Sequence, residues 1–203
     1  MVEWSVDAFG ACDSVRSIVV AAPPGYVDDL GGRDLGVVPG GATRAQSVAN
    51  ALEAVGTEYV AVHDAARPLL TSDLVEALIA DLAAARKADG VIAAAPVTDT
   101  IKRSELRGSL VLQEPTKEPR KVEETVDRAQ LWVAQTPQVF RTAALREALA
   151  AAKRPEEATD EAMMVEWNGG TVLIHPLAEQ NLKVTTPLDL RVAELLLTER
   201  AGP

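Results

Sequence analysis

At 203 residues the chain can bury a full hydrophobic core, and 47% hydrophobic content with only 3% aromatic means that Ala, Val and Leu must build it. A formal net charge of −10 excludes broad, sequence-independent nucleic-acid binding, which needs a basic face. The single cysteine, Cys12, excludes an intrachain disulfide, and Cys12, His63 and His175 have no metal-ligand spacing.

The first residues, Met1-Val2-Glu3-Trp4-Ser5-Val6-Asp7-Ala8-Phe9, read as the interior of an amphipathic helix with Val2, Val6 and Phe9 on one face. No capping residue precedes them, so the chain is expected to begin in mid-element. Apolar runs then predict strands at 17–22, 36–38, 58–62, 90–95, 132–134 and 171–175, with a further short run at 182–184. Between them, helices are predicted at 43–55, 72–87, 142–152, 160–167 and 187–198. The clearest of these places Leu74, Val75, Leu78, Ile79 and Leu82 on one stripe, with Ser72 or Asp73 as its cap and Gly90 just beyond its end. Strands alternating with helices imply an α/β protein with a mostly parallel sheet. The stretch 102–124 breaks the alternation: it is charged, carries Pro115 and Pro119, and has one apolar run, Leu110-Val111-Leu112. A segment of that length inside a compact domain reads either as a surface loop or as a protruding arm that pairs with a second subunit. There is no signal-peptide pattern and no long apolar stretch, so a soluble, cytoplasmic protein with no membrane partner is expected.

The chemistry gathers where strands end. Val62-His63-Asp64-Ala65-Ala66-Arg67-Pro68 follows the apolar run Tyr59-Val60-Ala61-Val62 and carries charge to the rim where open α/β sheets bind ligands. Arg67 offers a planar fork suited to phosphate, and Asp64 suits a metal or a ribose hydroxyl; an ion pair trimming a loop is the simpler alternative. Gly40-Gly41-Ala42-Thr43-Arg44-Ala45-Gln46-Ser47-Val48 opens a helix with glycines that permit close backbone approach. Asn181-Leu182-Lys183-Val184-Thr185 sets a lysine among apolar neighbours, either snorkelling at a sheet edge or clamping a phosphoryl group beside Arg67.

Taken together these segments resemble one family, the 2-C-methyl-D-erythritol 4-phosphate cytidylyltransferases of the non-mevalonate isoprenoid pathway. The resemblance runs in register from about Trp4 to the C-terminus. Its motifs are GG-x-x-R-x-x-SV from Gly40, HDAARP from His63, PV-x-DTIK from Pro96, VDR-x-x-LW from Val126, QTPQ-x-F from Gln135, TDEA from Thr159, and N-x-K-V-T from Asn181 ahead of P-x-DL. It implies a Rossmann-like nucleotidyltransferase domain over 1–203 with an arm at about 102–128. It also implies cytidylyl transfer from CTP to the alcohol phosphate with Mg²⁺ as cofactor, in a homodimer joined through the arm.

By the same resemblance Gly41 and Ser47 would meet the cytosine, Ala65 would lie beside the nucleotide, and Asp64 would sit near the ribose and the Mg²⁺. Arg67, Thr136 and Lys183 would bind the acceptor or the reacting phosphates, and Thr100 and Arg128 would reach the partner subunit's site. Glu161, in TDEA, reads as ordinary compensation of a helix dipole. Two departures stand out. Ala42 occupies a place where the family often has an aspartate facing the cytosine, and the family's leading strand and glycine-rich CTP loop have no match, so the domain is expected to be N-terminally incomplete. Rival readings are a cytidylyltransferase for another polyol phosphate, such as ribitol 5-phosphate, and a noncatalytic dimeric homologue.

Overall fold

The computed structural model describes residues 1–23, 25–26, 35–105, 119–177 and 181–201. Its centre is a four-stranded sheet in the order β3 (Tyr59–Val62), β7 (Trp132–Arg141), β4 (Gly90–Pro96), β8 (Val172–Pro176). β7 runs antiparallel to both neighbours while β4 and β8 pair in parallel. β3, β4 and β8 therefore all point the same way and end at one rim. β1 (Val19–Ala22) and β2 (Gly36–Pro39) form a separate parallel pair.

Alternation along the sheet divides the core into two layers. Val91, Ala93 and Val139 face α3 (Ser72–Ala84), where Leu78 and Leu82 are fully buried. Ile92 and Phe140 face the opposite layer, built from α2 (Arg44–Leu52), α4 (Thr142–Ala151) and α5 (Glu161–Trp167) through Leu52, Leu145, Ala148 and Met164. Gly90 lets the Phe140 ring lie against the backbone, since a Cβ there would come within 2.4 Å of the ring. α1 (Val2–Gly10) forms as its apolar spacing predicts and packs against α3 over Cys12, Leu70 and Val75. Burial, helped by Glu76, pushes the Cys12 thiol up to about 11, which makes it a poor nucleophile.

Three expectations need correction. β7 spans Trp132–Arg141 rather than 132–134, because polar residues beyond Ala134 find distant partners: Thr136 Oγ1 accepts the Asp64 N–H and Gln138 Nε2 donates to Asp160. Residues 182–184 form no strand; their backbone is tied to the rim by the Val184 N–H donating to the Ala66 carbonyl at 2.7 Å. Thr71, rather than Ser72 or Asp73, caps α3 by accepting the Leu74 N–H at 3.3 Å.

β5 (Ile101–Ser104) and β6 (Val122–Val126) pair antiparallel, braced by Lys102 donating to Thr125 Oγ1 at 2.6 Å and by Arg103 beside Glu124 at 3.1 Å, at the place where the sequence predicts the base of an arm. Residues 106–118, including Leu110-Val111-Leu112 and Pro115, lie outside the described residues. The last element is α6 (Pro187–Ala201), and no described helix is long and apolar enough to cross a membrane.

These burial differences set the cost of truncation. Leu82→Ala should lower unfolding free energy by about 2–5 kcal/mol in urea denaturation. Leu188→Ala, on a side chain that is 66% exposed, should stay within about 0.5 kcal/mol of the parent.

Candidate active site

β3 hands His63 and Asp64 to the rim. Its antiparallel register with β7 pairs Val62 with Gln138, so Thr136 comes to stand across from Asp64. The Asp64 N–H donates to Thr136 Oγ1 at 3.0 Å, and that hydroxyl also meets His63 Nδ1 at 3.1 Å. On its other side β7 changes register: Ile92 faces Gln138 while Ala94 faces Ala134, a two-residue step on β4 against four on β7. Such a bulge re-aims side chains, and Pro137, with no N–H to give to a ladder, lies within it. His63 is locked, with Nε2 3.2 Å from the Arg67 carbonyl and its ring edge-on to Phe9. Burial pulls its pKa down to about 4, so it is neutral and serves as a strut for the loop.

Three cations converge on Asp64. Lys183 Nζ lies 2.9 Å from Oδ2, Arg44 Nη2 lies 3.3 Å from Oδ1, and Arg67 Nε lies 4.0 Å from Oδ2. Burial works to raise the Asp64 pKa, but the Lys183 hydrogen bond and the Arg44 charge outweigh it and hold the carboxyl below its ordinary value. Arg67 is fixed by donating from Nη1 to the Asn181 carbonyl at 2.7 Å, and Asn181 Nδ2 donates to the Thr136 carbonyl at 2.6 Å. Asn181 thus joins Arg67 to the β7 bulge. Arg44 spans two carboxylates, since its Nη1 donates to Glu161 Oε1 at the start of α5. Glu161 is fully buried, and burial raises its pKa against the pull of Arg44.

The glycine segment folds as a second wall. The Gly41 N–H donates to Ser47 Oγ at 3.0 Å, and that hydroxyl donates in turn to the Thr43 carbonyl at 3.0 Å. A Cβ on Gly41 would fall 2.4 Å from Gln46 Cβ, so only glycine fits. Beside the departure at Ala42, the Gln46 side chain takes up the Ala42 N–H at 2.9 Å. Arg44, Ser47, Asp64 and Ala65 stand at the edge of a cavity of about 360 Å³ whose remaining walls are mostly apolar residues of α1, β1, α2 and β3. That volume lies within the range of small-ligand sites.

Asp64, Arg67, Thr136 and Lys183 therefore come together as the sequence predicts, with Gly41, Ser47 and Ala65 close by. Thr100 and Arg128 do not join them within one chain. Both are exposed at the base of the arm, where Arg128 Nη1 donates to the Thr98 carbonyl. Sequence reasoning missed the parts played by Arg44, Glu161 and Asn181. The available signal was Arg44 itself, a cation at the first position of a helix, where the dipole disfavours positive charge.

Among the described residues no three of His, Cys, Asp and Glu gather into a metal cage. Asp64 supplies one carboxylate, the kind of oxygen donor Mg²⁺ takes when phosphates and water complete its shell. Lys183 and Arg44 hold the two Asp64 oxygens, so this single carboxylate would serve Mg²⁺ only where a bound polyphosphate draws Lys183 away and supplies most of the shell.

An α/β sheet with a basic cluster on a glycine-walled rim is an architecture that binds phosphorylated ligands. The family model for IspD, 2-C-methyl-D-erythritol 4-phosphate cytidylyltransferase, matches residues 1–199, and the chain belongs to that family. A 2-C-methyl-D-erythritol 4-phosphate cytidylyltransferase of Streptomyces coelicolor is 39% identical over 212 residues, covering 98% of this chain and 75% of that protein. A bifunctional IspD/IspF enzyme of Anaeromyxobacter dehalogenans is 42% identical over 95% of this chain. The chain spans about half the length of such bifunctional relatives, 49% in that case. The crystal structure of the cytidylyltransferase from Thermus thermophilus superposes with a TM-score of 0.78 at 35% identity, covering 97% of this chain and 88% of that one.

Thr136→Val keeps the side-chain shape but strands the Asp64 N–H and the His63 ring nitrogen. It should cost about 1–3 kcal/mol of unfolding free energy, read from the urea midpoint at constant slope.

Proposed function

We propose that the protein transfers the cytidylyl group of CTP to 2-C-methyl-D-erythritol 4-phosphate. An oxygen of the acceptor phosphate attacks the α-phosphorus, a new P–O bond forms, the bond from the α-phosphorus to the bridging oxygen breaks, and pyrophosphate leaves with that oxygen. The reaction brings two polyanions together, so it needs positioned cations more than covalent chemistry. The observation that carries the proposal is the convergence of Lys183, Arg44 and Arg67 on one rim of a chain with net charge −10. Family membership favours the methylerythritol acceptor over ribitol 5-phosphate.

In this reading Lys183, 46% exposed and paired with Asp64, exchanges the carboxylate for phosphate oxygens as charge develops. Arg67, held by Asn181, and Thr136 bind the acceptor phosphate beside it. Gly41 and Ser47 face the cytosine, Ala65 lies against the nucleotide, and Asp64 meets the ribose. A Mg²⁺ ion would be held by Asp64 together with the triphosphate, and would supply neutralisation of negative charge on the phosphates. Thr100 and Arg128, exposed at the arm base, enter the site of a second copy, which makes the working unit a homodimer.

Pyrophosphate release from CTP, Mg²⁺ and 2-C-methyl-D-erythritol 4-phosphate tests the reaction. Lys183→Met should cut kcat/KM by about 10²–10³-fold with little change in Tm, and an undiminished rate would overturn its assigned role. The shared site is tested by mixing Arg128→Ala with Lys183→Ala, each inactive alone. Random mixed dimers should recover about a quarter of wild-type activity, and no recovery in verified heterodimers would remove the arm from the site.

A further inference from the structure

We propose that Glu161 is a positioning residue: it anchors Arg44 and, through Arg44, fixes the Asp64 carboxylate at the rim. The claim deepens the cytidylyl-transfer reading, on which only its turnover test depends.

Glu161 is the first residue of α5, where a carboxylate that merely offsets a helix dipole would stay in water. Here it is fully buried, with Oε1 accepting from Arg44 Nη1 and Oε2 without a hydrogen-bond partner among the described residues. Capping does not require it either. Asp160 caps α5 by accepting the Met163 N–H at 2.9 Å, and Gln138 Oε1 takes the Ala162 N–H at 3.2 Å. A buried ion pair is seldom worth its desolvation as a source of stability. Arg44, at the first position of α2, is equally ill placed for stability, since its charge opposes the dipole of its own helix.

Both oddities make sense as one device. The guanidinium is a rigid fork, and its two terminal nitrogens serve different masters. Nη1 goes to the fully buried Glu161, while Nη2 goes to Asp64, whose side chain is 17% exposed, at a looser 3.3 Å. A charge-assisted bond away from water is the stronger anchor, so Glu161 holds the arginine and the arginine holds Asp64 Oδ1. Only Oδ2 is then left to Lys183, which is half in solvent and free to exchange. Glu161 thus decides which carboxylate oxygen is fixed and which is released when a phosphate arrives.

The isosteric Glu161→Gln, the charge-keeping Glu161→Asp, Asp64→Asn and the double variant Glu161→Gln/Asp64→Asn test this on the full chain. Thermal unfolding checks that each is folded. In ¹⁵N NMR of the ligand-free protein, Arg44 should give separate, slowly exchanging Nη signals in the parent and in Asp64→Asn, and lose them in Glu161→Gln. The reverse pattern would make Asp64 the anchor and overturn the proposal. In turnover, Glu161→Gln should raise KM for CTP about tenfold with kcat changed less than about threefold, and Glu161→Asp should recover part of the loss. Added to Asp64→Asn, Glu161→Gln should cost less than about twofold more; fully multiplicative losses would mean that Glu161 acts elsewhere. If the parent releases no pyrophosphate, the cytidylyl-transfer reading fails and the NMR comparison alone decides the positioning role.

Discussion

A single carboxylate, Asp64, holds together cations that would otherwise repel one another. Lys183, Arg44 and Arg67 come from three distant parts of the chain and converge on that group, with Arg44 also held by Glu161 and Arg67 by the Asn181 carbonyl. Their placement follows from the sheet. β3 leads into the loop that carries Asp64 and Arg67, α2 supplies Arg44, and the segment before α6 supplies Lys183 through the backbone bond from Val184 to Ala66. In a chain so rich in acid, local positive potential arises only where the fold brings such distant cations together. The rim is therefore basic by topology and not by composition.

The polar residues that surround the carboxylate form a continuous chain of bonds. Thr136 receives the Asp64 N–H, Asn181 ties the Thr136 carbonyl to Arg67, and His63 closes the loop back onto the Arg67 carbonyl. The network restrains its members, although Arg67 Nε and Asn181 Oδ1 are buried with no hydrogen-bond partner among the described residues. Lys183 is the exception, with one bond and nearly half its side chain in solvent. The site pairs a fixed frame with one loosely held charge.

Much of this was legible beforehand. Apolar runs located the core strands, stripes of Leu and Val located α3, and the segments from His63 and Asn181 announced the charges at the rim. What stayed hidden depends on partners far away in sequence. Glu161 and Arg44 lie 117 residues apart, and the sequence around Glu161 does not signal that a distant arginine pairs with it. The length of β7 was masked for a related reason. Its polar residues Thr136 and Gln138 interrupt the apolar run, and their partners, the loop after β3 and Asp160, are distant in sequence. Local pattern reports which faces are apolar, while a buried polar group reports only on its distant partner.

The change of register inside β7 decides what positions Thr136. On one side of the slip, Gln138 to Arg141 pair with β3 in the core; on the other, Trp132 to Ala134 pair with the far end of β4. Thr136 lies between the two paired stretches, outside the ladder with β4. Its hydroxyl is therefore set by the Asp64 N–H and the His63 ring and not by strand pairing with β4.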